Sequence, residues 1–250
     1  MLVSASALLV HISQSLRTSA YPLLAAACEH DHSTGGADLT LADCLAPATA
    51  CSRSGDGMSC VVSGSALCAA RDADDALHSI FDGGPCRRAI RSATAIALVA
   101  LEADLEIATS EGDRWMSAEA YFARIDVNAK GGPPTQGRVL RARLPLAGAG
   151  GFQRLSHSTY GDGAISAICL AAVRRSDGDV RLVFGGVSPR PYRVYTSVEE
   201  EAMAGGLDAD AIAGLADRAL LDAEADPRST ARVDAAAGLL RHAIQEIASS

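Results

Sequence analysis

Aromatic side chains are scarce: four Phe, five Tyr and one Trp make up 4% of the 250 residues. Ala is abundant, so any core must be assembled from Ala, Leu, Val and Ile. Such side chains each remove less apolar area from water, and stability then leans on a cofactor or a partner more than usual. Basic charge is also in deficit, with 22 Lys and Arg against 30 Asp and Glu and a net charge of -8. That balance sets nucleic acid aside as a partner, because a phosphate backbone is held by clustered cations. No apolar run approaches the roughly 18 residues needed to span a bilayer, and the longest are broken by Asp, Arg or Gly. The expectation is a soluble, cytoplasmic protein without a membrane span. Residues 1–10 are apolar but lack a basic leader and a small-residue cleavage site, and read as a buried strand.

Two further absences narrow the chemistry. There is no CxxC pair, although six of the seven cysteines lie between Cys28 and Cys86. Zinc ribbons and thioredoxin-like centres, which need two thiolates on one tight turn, are thereby excluded. An odd number of cysteines without an export signal argues against a disulfide framework. No nucleophile with its base and no paired-carboxylate site is evident, so substrate chemistry is expected to belong to another chain.

The length suits two modest domains. Segment 21–29 reads as a short helix started by Pro22, and 30–84 as a long Ser-, Gly-, Asp- and Cys-rich loop. Periodicity then predicts a helix over 93–102 and a strand over 104–108. It suggests a short helix over 115–122 and an amphipathic strand over 139–146 closed by Pro145. After the Gly-rich 147–151, an apolar stretch 164–173, the turn Ser176-Asp177-Gly178 and a strand 180–184 form a hairpin. Two helices follow, one capped by Asp208 and carrying Ile212, Leu215 and Ala219. The other has Ser229 as its cap and carries Val233, Ala237, Leu240, Ile244 and Ile247. Sheet with segregated helices gives an α+β class.

The cysteines at wide intervals are able to converge on an iron–sulfur cluster, and their neighbours carry a resemblance. Thr34-Gly35-Gly36-Ala37-Asp38-Leu39 resembles the glycine-pair loop, of the form IGGNL, in the flavoprotein subunits of molybdenum hydroxylases. Cys44 follows at the interval seen in the hydroxybenzoyl-coenzyme A reductase subgroup. Cys60 comes sixteen residues later and Cys68 eight beyond that. The run His78-Ser79-Ile80-Phe81-Asp82-Gly83-Gly84-Pro85-Cys86 is similar to the subgroup's HAIFGGGPC. Gly185-Gly186-Val187-Ser188-Pro189-Arg190-Pro191 is similar to the GGVAPRP turn of the family's C-terminal domain. The resemblance covers nearly the whole chain, beginning about 50 residues into a typical member by domain-size expectation.

The resemblance to the xanthine dehydrogenase and carbon monoxide dehydrogenase family implies an N-terminally truncated FAD-binding domain of PCMH type over 1–146. Its Cys-rich loop falls at about 28–86, and a carbon monoxide dehydrogenase flavoprotein C-terminal-like domain of antiparallel sheet and helices follows over 150–250. It implies FAD held by Thr34, Gly35, Gly36, Ala37, Asp38, Leu39, Ser92, Arg154 and Tyr160, and a [4Fe–4S] cluster on Cys44, Cys60, Cys68 and Cys86. The activity implied is that of an oxidoreductase subunit passing electrons from iron–sulfur centres to flavin and an external acceptor. Its partners would be a molybdopterin-binding large subunit and a [2Fe–2S] small subunit.

Several positions depart from the family. Ile90-Arg91-Ser92-Ala93 replaces HPSD, removing a flavin-holding carboxylate; Ala37 replaces Asn; and Ser156 stands where a basic residue is usual. The alternative reading is therefore a remnant or docking subunit that no longer binds FAD, its cysteines inherited thiols. Cys51 competes with Cys44 as a ligand, Cys28 with His30 and His32 is a minor metal candidate, and Cys169 reads as a small core residue. His78 is assigned no catalysis, and Tyr160 suits a rim or core aromatic equally well.

Overall fold

The computed structural model describes residues 1–17, 19–45, 79–81, 87, 89–124, 137–145, 152–160, 165–223 and 230–249. The first half holds β1 (Leu2–Ser4), α1 (Leu9–Leu16), α2 (Pro22–Gly35), α3 (Leu41–Leu45), α4 (Ala93–Ala100), β2 (Asp104–Thr109), β3 (Gly112–Ser117), α5 (Ala118–Ala123) and β4 (Arg138–Arg143). Its four strands form an antiparallel sheet in the order β1-β4-β2-β3. The second half holds β5 (Phe152–Tyr160), β6 (Ile165–Arg174), β7 (Val180–Gly185), β8 (Tyr192–Arg193), α6 (Thr196–Ala204), α7 (Ala209–Ala219) and α8 (Thr230–Ser249). Its strands make a meander in sequence order. The class is α+β.

The second sheet is covered on both faces. Alternate residues of β6 point opposite ways, as a pleated strand requires. Cys169, Ala171 and Val173 enter the first core with α4, while Ile168, Leu170 and Ala172 enter the second with α6, α7 and α8. This is why the stretch reads as an unbroken apolar run. Helix α4 is buried all round, every residue from Ala93 to Ala100 lying at or below 2% exposure. A helix apolar on all sides must be covered on all sides. Gly185 lets β7 approach it, since a Cβ there would stand 3.1 Å from Ile96 Cγ2.

Helix starts follow their caps: Ser92, Ser117 and Asp208 each accept a backbone N–H three residues on, at 3.0, 3.1 and 2.8 Å. Ser229, the expected cap of α8, lies outside the described residues. Helix α4 ends in a Schellman closure, with Ala103 N–H donating to Leu98 O and Glu102 N–H to Val99 O. Glu102 occupies the left-handed position at φ 54°.

Several expectations are corrected. Only Leu2–Ser4 of residues 1–10 is strand. Leu9 opens α1, whose buried Leu9, Ile12 and Leu16 set a helical spacing visible only past residue 10. The loop expected from residue 30 begins later, because α2 runs on through Gly35, and α3 interrupts it. Trp115 belongs to β3, and Ser117 starts the neighbouring helix two residues after it. Strand β5 and helix α6 have no counterpart in the sequence reading.

Candidate functional site

Helix α2 places Cys28, His30 and Asp31 near its glycine end, and Asp31 is the centre of the site. The residue is 5% exposed, and its carboxylate accepts the Ala93 N–H at 2.8 Å, the Thr94 N–H at 2.8 Å and the Ser92 hydroxyl at 2.9 Å. All three donors are at the start of α4, where unpaired N–H groups and the helix dipole favour an anion. His30 Nδ1 lies 3.4 Å from the same carboxylate, and its ring is 5.5 Å from that of His157 on β5. Burial alone would raise the Asp31 carboxyl, but the hydrogen bonds from His30, Thr94 and Ala93 prevail and hold it below the usual carboxylate value.

Two thiols border this carboxylate. Cys28 Sγ accepts the Thr94 hydroxyl at 3.8 Å, and burial with the nearby Asp31 charge pushes its pKa up to about 12. Cys44, buried on α3, is pushed up by burial and by the Asp31 charge, with a hydrogen bond from Ser92 working in the opposite direction. Both shifts favour the neutral thiol over the thiolate. Among the described residues no group of three or more His, Cys, Asp or Glu is arranged to hold a metal ion. Of the four cluster ligands expected, Cys60, Cys68 and Cys86 lie outside the described residues, as do His78 and Cys51.

The glycine pair divides between two structures. Thr34 and Gly35 form the last turn of α2, with the Thr34 hydroxyl donating to His30 O at 3.1 Å and Asp31 O at 3.2 Å. Gly36 leaves the helix at φ 106°, where nothing lies within 4 Å of a would-be Cβ. Gly36, Ala37 and Asp38 are exposed, and no acceptor among the described residues meets the N–H of Ala37 or Asp38. The turn is anchored beyond by Leu9 N–H to Leu39 O at 2.9 Å and Leu41 N–H to Ala7 O at 3.1 Å. Thr40 and Asp43 then cap α3 reciprocally, Thr40 N–H and hydroxyl donating to the Asp43 carboxylate at 2.9 and 2.6 Å.

Strand β5 runs beside α2 in the same direction. Leu23 N–H meets Gln153 Oε1 at 3.5 Å near the start of the helix, and His157 stands by His30 further along. Of the expected site positions, Ser92 and Cys44 lie against Asp31, about one helical turn before the turn at 36–39. Arg154 does not join them. It follows Gln153, which meets the start of α2, and pairs with Glu246 of α8. Asp31, which ties α2 to the start of α4, carried no sequence signal as a site residue.

No helix among the described residues is long and apolar enough to cross a membrane. No protein-family model and no curated protein matches the chain. Among solved structures it is similar to a chain of quinoline 2-oxidoreductase from Pseudomonas putida 86, at 16% identity and TM-score 0.47 over 62% of this chain and 55% of that one. A chain of the Cu,Mo-CO dehydrogenase in its cyanide-inactivated form gives 19% identity and TM-score 0.47, over 63% of this chain and 57% of the other. A carbon monoxide dehydrogenase from Hydrogenophaga pseudoflava lacking the Mo-pyranopterin moiety gives 18% identity and TM-score 0.42, over 69% and 57%. In each case the match spans just over half the length of the solved chain.

Proposed function

We propose that this chain is the flavoprotein-type electron-transfer subunit of a molybdopterin-dependent hydroxylase, holding FAD and working beside a molybdopterin-binding large subunit and a [2Fe–2S] small subunit. The observation that carries the reading is the exposed glycine turn, with its two N–H donors that meet no acceptor among the described residues, one helical turn beyond Asp31 and its partner Ser92. Main-chain N–H groups on an open glycine turn are a suitable donor set for an isoalloxazine or ribityl oxygen, since no side chain blocks approach. FAD bound there would supply the redox chemistry, taking electrons singly or in pairs. The chain's own part would be to present the turn, with Gly36, Ala37, Asp38 and Leu39 as main-chain contacts. Ser92 would act through its hold on α4, and Arg154 has no part.

A docking subunit without flavin is the second reading, and a specific observation favours it: the side-chain groups of Ser92 and Arg154 are consumed by Asp31 and Glu246. The test is an anaerobic absorption spectrum of the chain co-expressed with its partner subunits, with flavin, iron and sulfide quantified on the same sample. About one flavin per chain supports the electron-transfer role. About four additional irons per chain, beyond those of the [2Fe–2S] centres, add the [4Fe–4S] cluster on Cys44, Cys60, Cys68 and Cys86. A chain without flavin in an assembled complex overturns the first reading in favour of docking.

A further inference from the structure

We infer that Asp31 is a positioning residue for the flavin turn, a role that rests on the flavin reading above. The resemblance expects a carboxylate where the chain has Ala93, and Ala93 offers only its N–H. Asp31 accepts that N–H from the other side, with Thr94 N–H and the Ser92 hydroxyl on its second oxygen. Both carboxylate oxygens are thereby spent on the start of α4 and neither is left to face a ligand, so Asp31 acts by holding α2 to that helix start.

Its effect on the turn follows from the chain's course. Asp31 lies one helical turn before Gly35, and the Thr34 hydroxyl binds the backbone of His30 and Asp31, so the last turn of α2 is fixed to the start of α4. Beyond Gly36 the chain is held again at Leu39 and Leu41 by Leu9 and Ala7. The donors of Ala37 and Asp38 are therefore suspended between two anchors, one of which is the Asp31 carboxylate. An Asn at this position keeps the shape but directs its amide N–H₂ at a hydroxyl or backbone donor, so it cannot reproduce the anchor.

The experiment is FAD titration of the full chain by quenching of flavin fluorescence, at a temperature well below each variant's melting point. Wild type, Asp31→Asn, Asp31→Ala and the milder Ser92→Ala are compared, each with and without formate. Asp31→Ala is expected to weaken FAD binding tenfold or more, with partial recovery of both affinity and melting temperature in formate, which refills the carboxylate position. Ser92→Ala is expected to weaken binding less and serves if Asp31→Ala does not fold. Unchanged FAD affinity in the Asp31 variants, alongside a lowered melting point, overturns the positioning role and leaves Asp31 structural. Wild type that binds no FAD overturns the flavin reading, and this role with it; the two failures are told apart by the wild-type titration alone.

Discussion

Glu102 offers the sharpest test of the packing between the halves. It occupies a left-handed position, φ 54°, where a Schellman closure normally takes Gly. Its carboxylate meets Arg181 at 2.6 Å and also Arg175, the three side chains being 34%, 13% and 21% exposed. Glu102→Ala removes the carboxylate and keeps the backbone strain; Glu102→Gly removes both. Charge-assisted bonds at this exposure contribute about 1–2 kcal/mol together, toward the low end because Arg175 and Arg181 keep Asp179 nearby. Left-handed strain for an L-residue costs about 1 kcal/mol. The Ala variant should therefore be about 1–2 kcal/mol less stable than wild type, and the Gly variant about 1 kcal/mol more stable than the Ala variant. Urea unfolding followed by circular dichroism and by the single Trp, Trp115 on the first sheet, measures these differences. Raising NaCl from 0.05 to about 0.5 M should narrow the gap between wild type and Ala while leaving that between Ala and Gly unchanged. Equal stability of the Ala and Gly variants would refute the strain argument, and a salt-independent gap would refute the ionic one.

Glu199, 3% exposed in its side chain, accepts Leu182 N–H at 2.9 Å and pairs with Arg193 at 2.6 Å. Glu199→Ala strands the Leu182 N–H, while Arg193 keeps Glu119 at 3.7 Å, and should cost about 1–3 kcal/mol; Glu199→Gln, which can still accept from Leu182, should cost less, and thermal melts decide between them. Gly137→Ala would put a Cβ 2.2 Å from Ala108 O at φ 101°, and is expected to prevent β4 from seating on β2, read as loss of soluble folded chain. The Asp43 carboxyl is held below its usual value by Thr40 hydrogen bonds. A depressed acid stabilises above its unfolded pKa and loses that contribution as pH falls through the folded one. Carboxyl NMR should therefore show Asp43 titrating below an unfolded peptide reference, and Thr40→Val should return it toward that reference.

What the sequence disclosed follows from how each element is buried. Strand β6 was legible because it is buried on both faces, and α7 because Asp208 caps a clear amphipathic face. Strand β5 was not, since Phe152-Gln153-Arg154-Leu155-Ser156-His157 offers little alternation and owes its place to pairing with β6. Helix α6 escaped notice because much of what it buries is Val198, Ala202 and a paired Glu199. The glycine pair suggested a turn at Gly35, yet helices accommodate Gly in a last turn, and only Gly36 requires the positive φ. Asp31 was unreadable for a plainer reason. Its donors lie 61 to 63 residues further along the chain, and nothing local marks a carboxylate that will find a helix start there.

The placement of α4 also bears on how the chain is made. Its surface, apolar apart from Thr94, leaves the ribosome well before β6 and β7, the strands that supply Cys169, Ala171, Val173 and Val183 to cover it. At ordinary elongation rates that delay is on the order of several seconds, long compared with helix formation. A nascent chain that has emerged only through β4 would carry α4 with its α2 side covered and its β6–β7 side open to water, a natural substrate for a holdase chaperone. The last strands are thus as necessary to the first half's maturation as to their own.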